Sequence, residues 1–254
     1  MQLITPLELS ALAPSKPSQW LPTADEQGCR LRALRLASDA AAFGHAICDT
    51  IVFAAKGSLA VTVGGQENSV AEEGLLFLPA GTTGLVRGST DSVILEVLVP
   101  IADQPQGRTP KFTQVDESRF EGQGFAYQSL LDRSAGSSGV RVNILRVASG
   151  AGSPGYHIHA FDQIYFLLEG EMVIDIGVER YSARAPSIVY LPAGVVHRNF
   201  NKGPGVERHI TFLVPEPPEG AIFDYAVTIH NREAEMQTSL PAPGPQDEAL
   251  PRKA

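Results

Sequence analysis

The stretch HIHAFDQIYFLLEGEMVIDIGVERYSARAPSIVYLPAGVVHRNFN, residues 157–201, decides the fold class. His157 and His159 are two residues apart, so on an extended strand they project from one face. Gln163 shares their parity if the strand resumes after Ala160-Phe161-Asp162, and His197 follows the turn Pro192-Ala193-Gly194. Val140 to Val147, Gln163 to Leu168, Met172 to Ile176 and Ser187 to Leu191 are short apolar or alternating runs separated by Gly, Pro and Ser. This spacing predicts an all-β sandwich or barrel with few short helices. Room for helix is left at Pro6 to Leu12 and Ser129 to Asp132.

The same pattern occurs earlier in the chain. At an offset of 113 residues, Gly57, Gly64, Pro79-Ala80-Gly81 and Asp49 fall on Gly170, Gly177, Pro192-Ala193-Gly194 and Asp162. Leu34 to Ser38 resembles Leu145 to Ser149 at an offset of 111, and Leu98-Val99-Pro100 resembles Leu213-Val214-Pro215 at 115. Loop insertions produce such small changes of offset, so the chain reads as a duplicated domain. The join falls in the polar segment Asp103 to Asp116, giving units at 1–110 and 111–235. The Pro-rich segment 236–254 has no apolar periodicity and reads as a mobile tail or an arm that orders against a neighbour.

Composition narrows the function classes. With 43% hydrophobic and 19% charged residues in 254, wholesale disorder is excluded. A formal charge of −8 with no lysine or arginine run removes attraction to nucleic acid or an anionic membrane. The start MQLITPLELS lacks the features of a secretory signal and no window has membrane-spanning length, so a soluble cytoplasmic protein is expected. Cys29 and Cys48 are too few for a disulfide framework and too far apart for a CxxC site, and read as buried thiols. There is no phosphate loop, nucleotide fingerprint or nucleophile elbow, and Gly64-Gly65 reads as a hairpin turn.

Taken together, His157-x-His159, three residues, Gln163, six residues, Gly170, then Pro192-x-Gly194, two residues, His197, three residues, Asn201 resembles the two signature motifs of the cupin superfamily. Gly150 stands at the family's glycine ahead of the first histidine. The resemblance implies two tandem jelly-roll β-barrels, a bicupin, with a metal held in the second by His157, His159, Gln163 and His197. Gln163 replaces the usual glutamate. A neutral amide is a weaker ligand than a carboxylate and leaves a divalent ion its full charge, which favours an anionic substrate oxygen and weakens retention of the metal. The resemblance carries Fe(II) first, with Ni, Zn, Mn or Cu also suited to imidazole. Asp162 has the opposite parity and, shared with Asp49, reads as structural. In the first copy, the 113 offset puts Gly44, Ala46, Thr50 and Gly84 at the four ligand positions, with His45 out of phase, so that barrel is expected to be metal-free.

Further pocket candidates are catalytic Tyr165, a hydroxyl donor or a barrel-lining aromatic, and His209, an acid or base or a solvated strand residue. Arg141 and Asn143 alternate with Val140, Val142 and Ile144, and either set faces inward. The fold hosts many chemistries. The leading expectation is a dioxygenase acting on a small oxygen-chelating enol, phenol or hydroxy or keto acid. The alternatives are an isomerase, cyclase or lyase using the metal as Lewis acid, and a non-catalytic binding module. A homodimer is expected, with Met1 to Trp20 draped over a neighbour.

Overall fold

The computed structural model describes residues 4–7, 12, 20–21, 29–36, 38–89, 91–101, 107–137, 139–153, 155–218 and 224–229. The regular elements among them are almost all strands. The first barrel holds β2 (Arg30–Arg35), β3 (Ala41–Phe43), β4 (Cys48–Lys56), β5 (Leu59–Val63), β6 (Gln66–Val70), β7 (Leu75–Leu78), β8 (Gly84–Gly88), β9 (Val93–Pro100) and β10 (Lys111–Thr113). The second holds β1 (Ile4–Pro6), β11 (Phe125–Leu131), β12 (Arg141–Val147), β13 (His157–Ile158), β14 (Asp162–Glu169), β15 (Glu171–Ile176), β16 (Glu179–Arg184), β17 (Ser187–Leu191), β18 (His197–Phe200), β19 (Glu207–Val214) and β20 (Tyr225–Ala226). Each barrel is two antiparallel sheets. Their orders are β10-β7-β4-β9-β2 and β3-β8-β5-β6 in the first, β1-β17-β14-β19-β12-β11 and β16-β15-β18-β13-β20 in the second. The expected tandem jelly-roll architecture is therefore present.

The strand β1 adds to the second barrel of its own chain, pairing Ile4 with Val189, while β10 pairs Lys111 with Phe77 of the first. Most of Met1 to Trp20 lies outside the described residues, as does the tail 236–254. The expected helix at Pro6 to Leu12 lies largely outside the described residues, and the one at Ser129 to Asp132 is replaced by strand. Pro6 ends β1 and Ser129 lies in β11, because β11 has a partner in β12, whose pairing satisfies its backbone. The short helical turns are 3-10, at Glu117–Arg119 and Arg133–Ala135, where Asp116 and Asp132 side chains accept from backbone N–H groups.

The large sheets of the two barrels pack face to face. Ile51, Phe53, Phe77 and Val97 meet Val142, Ile144, Phe166 and Phe212 in one buried cluster. A second apolar cluster, with Val52, Leu76, Leu78, Val86 and Ile94, fills the interior of the first barrel. Strands β4 and β9 are covered on both faces, which is why IVFAA is a continuous apolar run and VILEVLV is broken only by Glu96, which Arg32 pairs at 2.6 Å. Arg208 clamps the barrels together, donating to both Glu73 oxygens at 2.7 and 2.6 Å and to Glu117 at 2.8 Å. Because Val142 and Ile144 are used between the barrels, Arg141 and Asn143 are the set that faces the second barrel's cavity. Gly64 and Gly65 make the β5–β6 turn at φ 57° and 79°, open to glycine without strain. No helix among the described residues is long and apolar enough to cross a membrane.

Candidate metal centre

The antiparallel pairing of β13 with β18 sets His157 directly opposite His197. His159 follows two residues later on the same face, and Gln163 enters on β14, paired with Leu191 and Leu213. The three imidazoles offer nitrogen atoms that all lie within 4.8 Å of one another. Ring centroids are separated by 4.4 Å for His157–His197, 4.8 Å for His159–His197 and 5.7 Å for His157–His159.

Each ring is held from behind. Nδ1 of His157 bonds Gly155 O at 3.1 Å, Nδ1 of His159 bonds Phe161 O at 3.1 Å, and Nδ1 of His197 bonds Val195 O at 3.0 Å. A carbonyl accepts only, so Nδ1 carries the proton and each Nε2 keeps its lone pair for the centre. Desolvation by burial lowers His159 and holds His197 down at about 4, against the backbone bonds that would raise them, which keeps both neutral. Nε2 of His197 is buried with no hydrogen-bond partner. Gln163 Oε1 lies 2.9 Å from His159 Nε2. Two lone pairs this close are stable with a cation between them, or with the amide turned to present its NH2. Three neutral imidazoles and an amide oxygen fit a borderline divalent ion such as Zn, Fe, Ni, Mn or Cu.

The centre opens on a cavity of about 980 Å³ lined in part by His157, Gln163, Tyr165, Asn143, His209 and Thr211. Tyr165 is 2% exposed and hydrogen-bonded to Gln163; burial first, then the charges of Asp224 and Glu207, raise its pKa, so the hydroxyl stays protonated. His209 is fully buried, which corrects the reading of it as a solvated strand residue. Its Nδ1 meets Glu207 Oε1 at 2.7 Å, its Nε2 has no partner, and its ring stands edge-on to Tyr165 at 5.0 Å. Asn143 Oδ1 and Thr211 Oγ1 are likewise buried without partners. Glu207 escaped the sequence reading, although Glu-x-His on a strand carries the same parity signal as His157-x-His159. Asp224 escaped because nothing in its local pattern marks a strand as short as β20.

The shared aspartates are structural, as expected. Asp162 Oδ1 accepts from Ala193 N at 2.9 Å and Asp49 Oδ1 from Ala80 N at 3.0 Å, each fixing a Pro-Ala-Gly turn. Asn201 closes the second motif, donating to Val147 O and Gly205 O at 2.9 and 2.8 Å. Cys29 and Cys48 are buried free thiols, and burial pushes Cys29 up to about 12.

One alignment within the first barrel needs correcting. Thr50 pairs with Leu78 as Gln163 pairs with Leu191, and Gly84 stands where His197 stands. Opposite Gly84, however, is Phe43 rather than Gly44. The oxygen of His45 accepts from Gly81 N at 2.8 Å as that of His159 does from Gly194 N at 2.8 Å, so His45, not Ala46, takes the place of His159. One extra residue between His45 and Asp49 shifts the offset locally. At His45 the hydrogen bond is reversed: its Nδ1 accepts from Ile47 N at 3.3 Å, where Nδ1 of His159 donates to Phe161 O, and its neighbours in the equivalent positions are Phe43, Thr50 and Gly84.

Comparison with known proteins agrees with this architecture. Residues 143–211 match the cupin domain. An uncharacterised protein of Streptomyces coelicolor is 34% identical over 58 residues, 23% of this chain, and the match spans 55% of that relative's length. A structure described as a glyoxylate-induced protein from Pseudomonas aeruginosa superposes with TM-score 0.67 at 17% identity, covering 82% of this chain and 83% of that one. Oxalate decarboxylase from Bacillus subtilis superposes with TM-score 0.63 at 13% identity, covering 85% and 76%. The cupin-domain match lies in the second barrel, and the chain as a whole shares its fold with these structures.

Proposed function

We propose that the second barrel is a metal-dependent active site for a small organic substrate that binds the ion through oxygen. The observation that carries this is the set of three imidazoles, each locked by its Nδ1–H so that the Nε2 lone pairs converge at the end of the cavity. A bound divalent ion would supply Lewis-acid stabilisation of negative charge developing on the substrate oxygen. The residues around it favour proton transfer, as in isomerisation, cyclisation or elimination. Nε2 of His209 is placed to accept a proton or return it, Glu207 orients the ring through Nδ1, and the Tyr165 hydroxyl donates a hydrogen bond from the cavity wall. Asn143 and Thr211 offer unpaired polar atoms to orient the substrate.

Dioxygenase chemistry with Fe(II) is the second reading, which a set of three imidazoles permits, since imidazole suits iron as well as zinc. Manganese also enters, since oxalate decarboxylase of B. subtilis has Mn(II) centres. The test is turnover of enols, phenols and hydroxy or keto acids by the full chain loaded separately with Zn, Mn and Fe(II). Anaerobic turnover with Zn or Mn supports proton transfer. Turnover only with Fe(II), together with oxygen consumption, supports the dioxygenase. No turnover in any form overturns both and leaves a binding module.

A further inference from the structure

We propose that Asp224 belongs to the metal centre: β20 lays it across the mouth of the second barrel, where its carboxylate supplies the negative charge that the imidazole and amide donors lack. The inference rests on the reading of His157, His159, Gln163 and His197 as a metal site. Its placement follows from strand register. In the β13–β20 pair, His157 stands opposite Ala226 and Ile158 opposite Tyr225, and Val227 N donates to Tyr156 O at 2.8 Å. Residues opposite each other in an antiparallel pair share a face. Ala226 therefore shares the inward face of His157, and Tyr225, 55% exposed, points out. One step further, Asp224 returns to the inward side beside His159. Accordingly Asp224 and Ala226 line the cavity together with His157 and Gln163, and Tyr225 does not.

The carboxylate also acts on the site electrostatically. Its charge is felt at both His159 and Tyr165. Glu207, the other acidic group acting on Tyr165, is already engaged by His209. Four neutral donors leave a divalent ion its whole charge, so an acidic group at the mouth attracts it without entering the donor set. Asp224 is exposed, so water and salt weaken the attraction.

The test is titration of the metal-free full chain with Mn²⁺ alone, following the free-ion EPR signal. The variants are Asp224→Asn, Asp224→Glu, Tyr225→Ala and His157→Ala. The expected result is a Kd about tenfold weaker for Asp224→Asn, with the gap narrowing as salt rises from about 20 to about 500 mM. Tyr225→Ala and Asp224→Glu stay within about threefold of wild type, and His157→Ala loses the site. Asp224→Asn within about twofold of wild type, with His157→Ala still inactive in binding, overturns this proposal and leaves the metal centre standing. Asp224→Glu weakening as much as Asp224→Asn overturns it too, since charge would not be the cause. A wild-type chain that binds no Mn²⁺ overturns the metal reading and this inference with it.

Discussion

Replacing Asp175 by Asn tests how the strands that carry the histidines are held. The side chain is fully buried on β15, with Arg180 Nε and NH2 at 2.6 and 2.9 Å, Arg198 Nε at 2.9 Å and Tyr156 OH at 3.2 Å. Tyr156 precedes His157 and Arg198 follows His197, so one carboxylate ties together both ligand-bearing strands. Burial alone would raise its pKa, but the hydrogen bonds and charges of the two arginines overcome this and take it from 3.8 to about 2. At 1.36 kcal/mol per tenfold change in proton affinity, that difference is worth about 2 kcal/mol. Solvent around the arginines, which are 33% and 28% exposed, reduces it to about 1–2 kcal/mol. Because the folded pKa is depressed, the contribution is present above 3.8 and lost as the pH falls from 3.8 towards about 2. Urea unfolding of wild type and Asp175→Asn from pH 7 down to about pH 3 should show a constant gap that begins to close below about pH 4. A gap near zero at pH 7, or one undiminished at the acid end, would refute the reasoning.

Three further outcomes follow from the same geometry. Gly152→Ala would place a Cβ against Phe200 Cβ and Asn199 O, and should destabilise by about 1–3 kcal/mol in urea unfolding; a neutral effect contradicts that packing. Glu207→Ala strands the buried Nδ1–H of His209 and should cost about 1–3 kcal/mol, with Glu207→Gln costing less; equal stability of all three speaks against the dyad. In the metal-free protein, burial lowers His197 from 6.5 to about 4, so unfolding takes up a proton between those values and stability falls as the pH drops through them. His197→Ala should reduce that slope, leaving the part that His159 contributes, and an unchanged slope would assign it to another group.

The sequence made the barrels and the centre legible because both are written in periodicity two. Strands such as Ser187–Leu191 alternate or bury both faces, and His157-x-His159 shares a face by the same rule. What it hid was decided by packing between distant segments. Whether Arg141 and Asn143 or Val142 and Ile144 face the cavity depends on the other barrel claiming the valine and isoleucine. The one-residue insertion after His45 could not be placed until the turn at Gly81 was seen to bond it. Ser129 to Asp132 is mostly strand because β12 offers it a ladder, and Asp224 reaches the site only through pairing with β13.

The most direct test of the central claim is elemental analysis of the purified full chain after loading and dialysis, compared with a His157→Ala, His197→Ala variant. The account predicts about one divalent ion per wild-type chain and almost none in the variant, with both folded by circular dichroism. A wild-type chain that retains none of Fe, Mn, Zn, Ni or Cu, or a variant that retains as much as wild type, would contradict it.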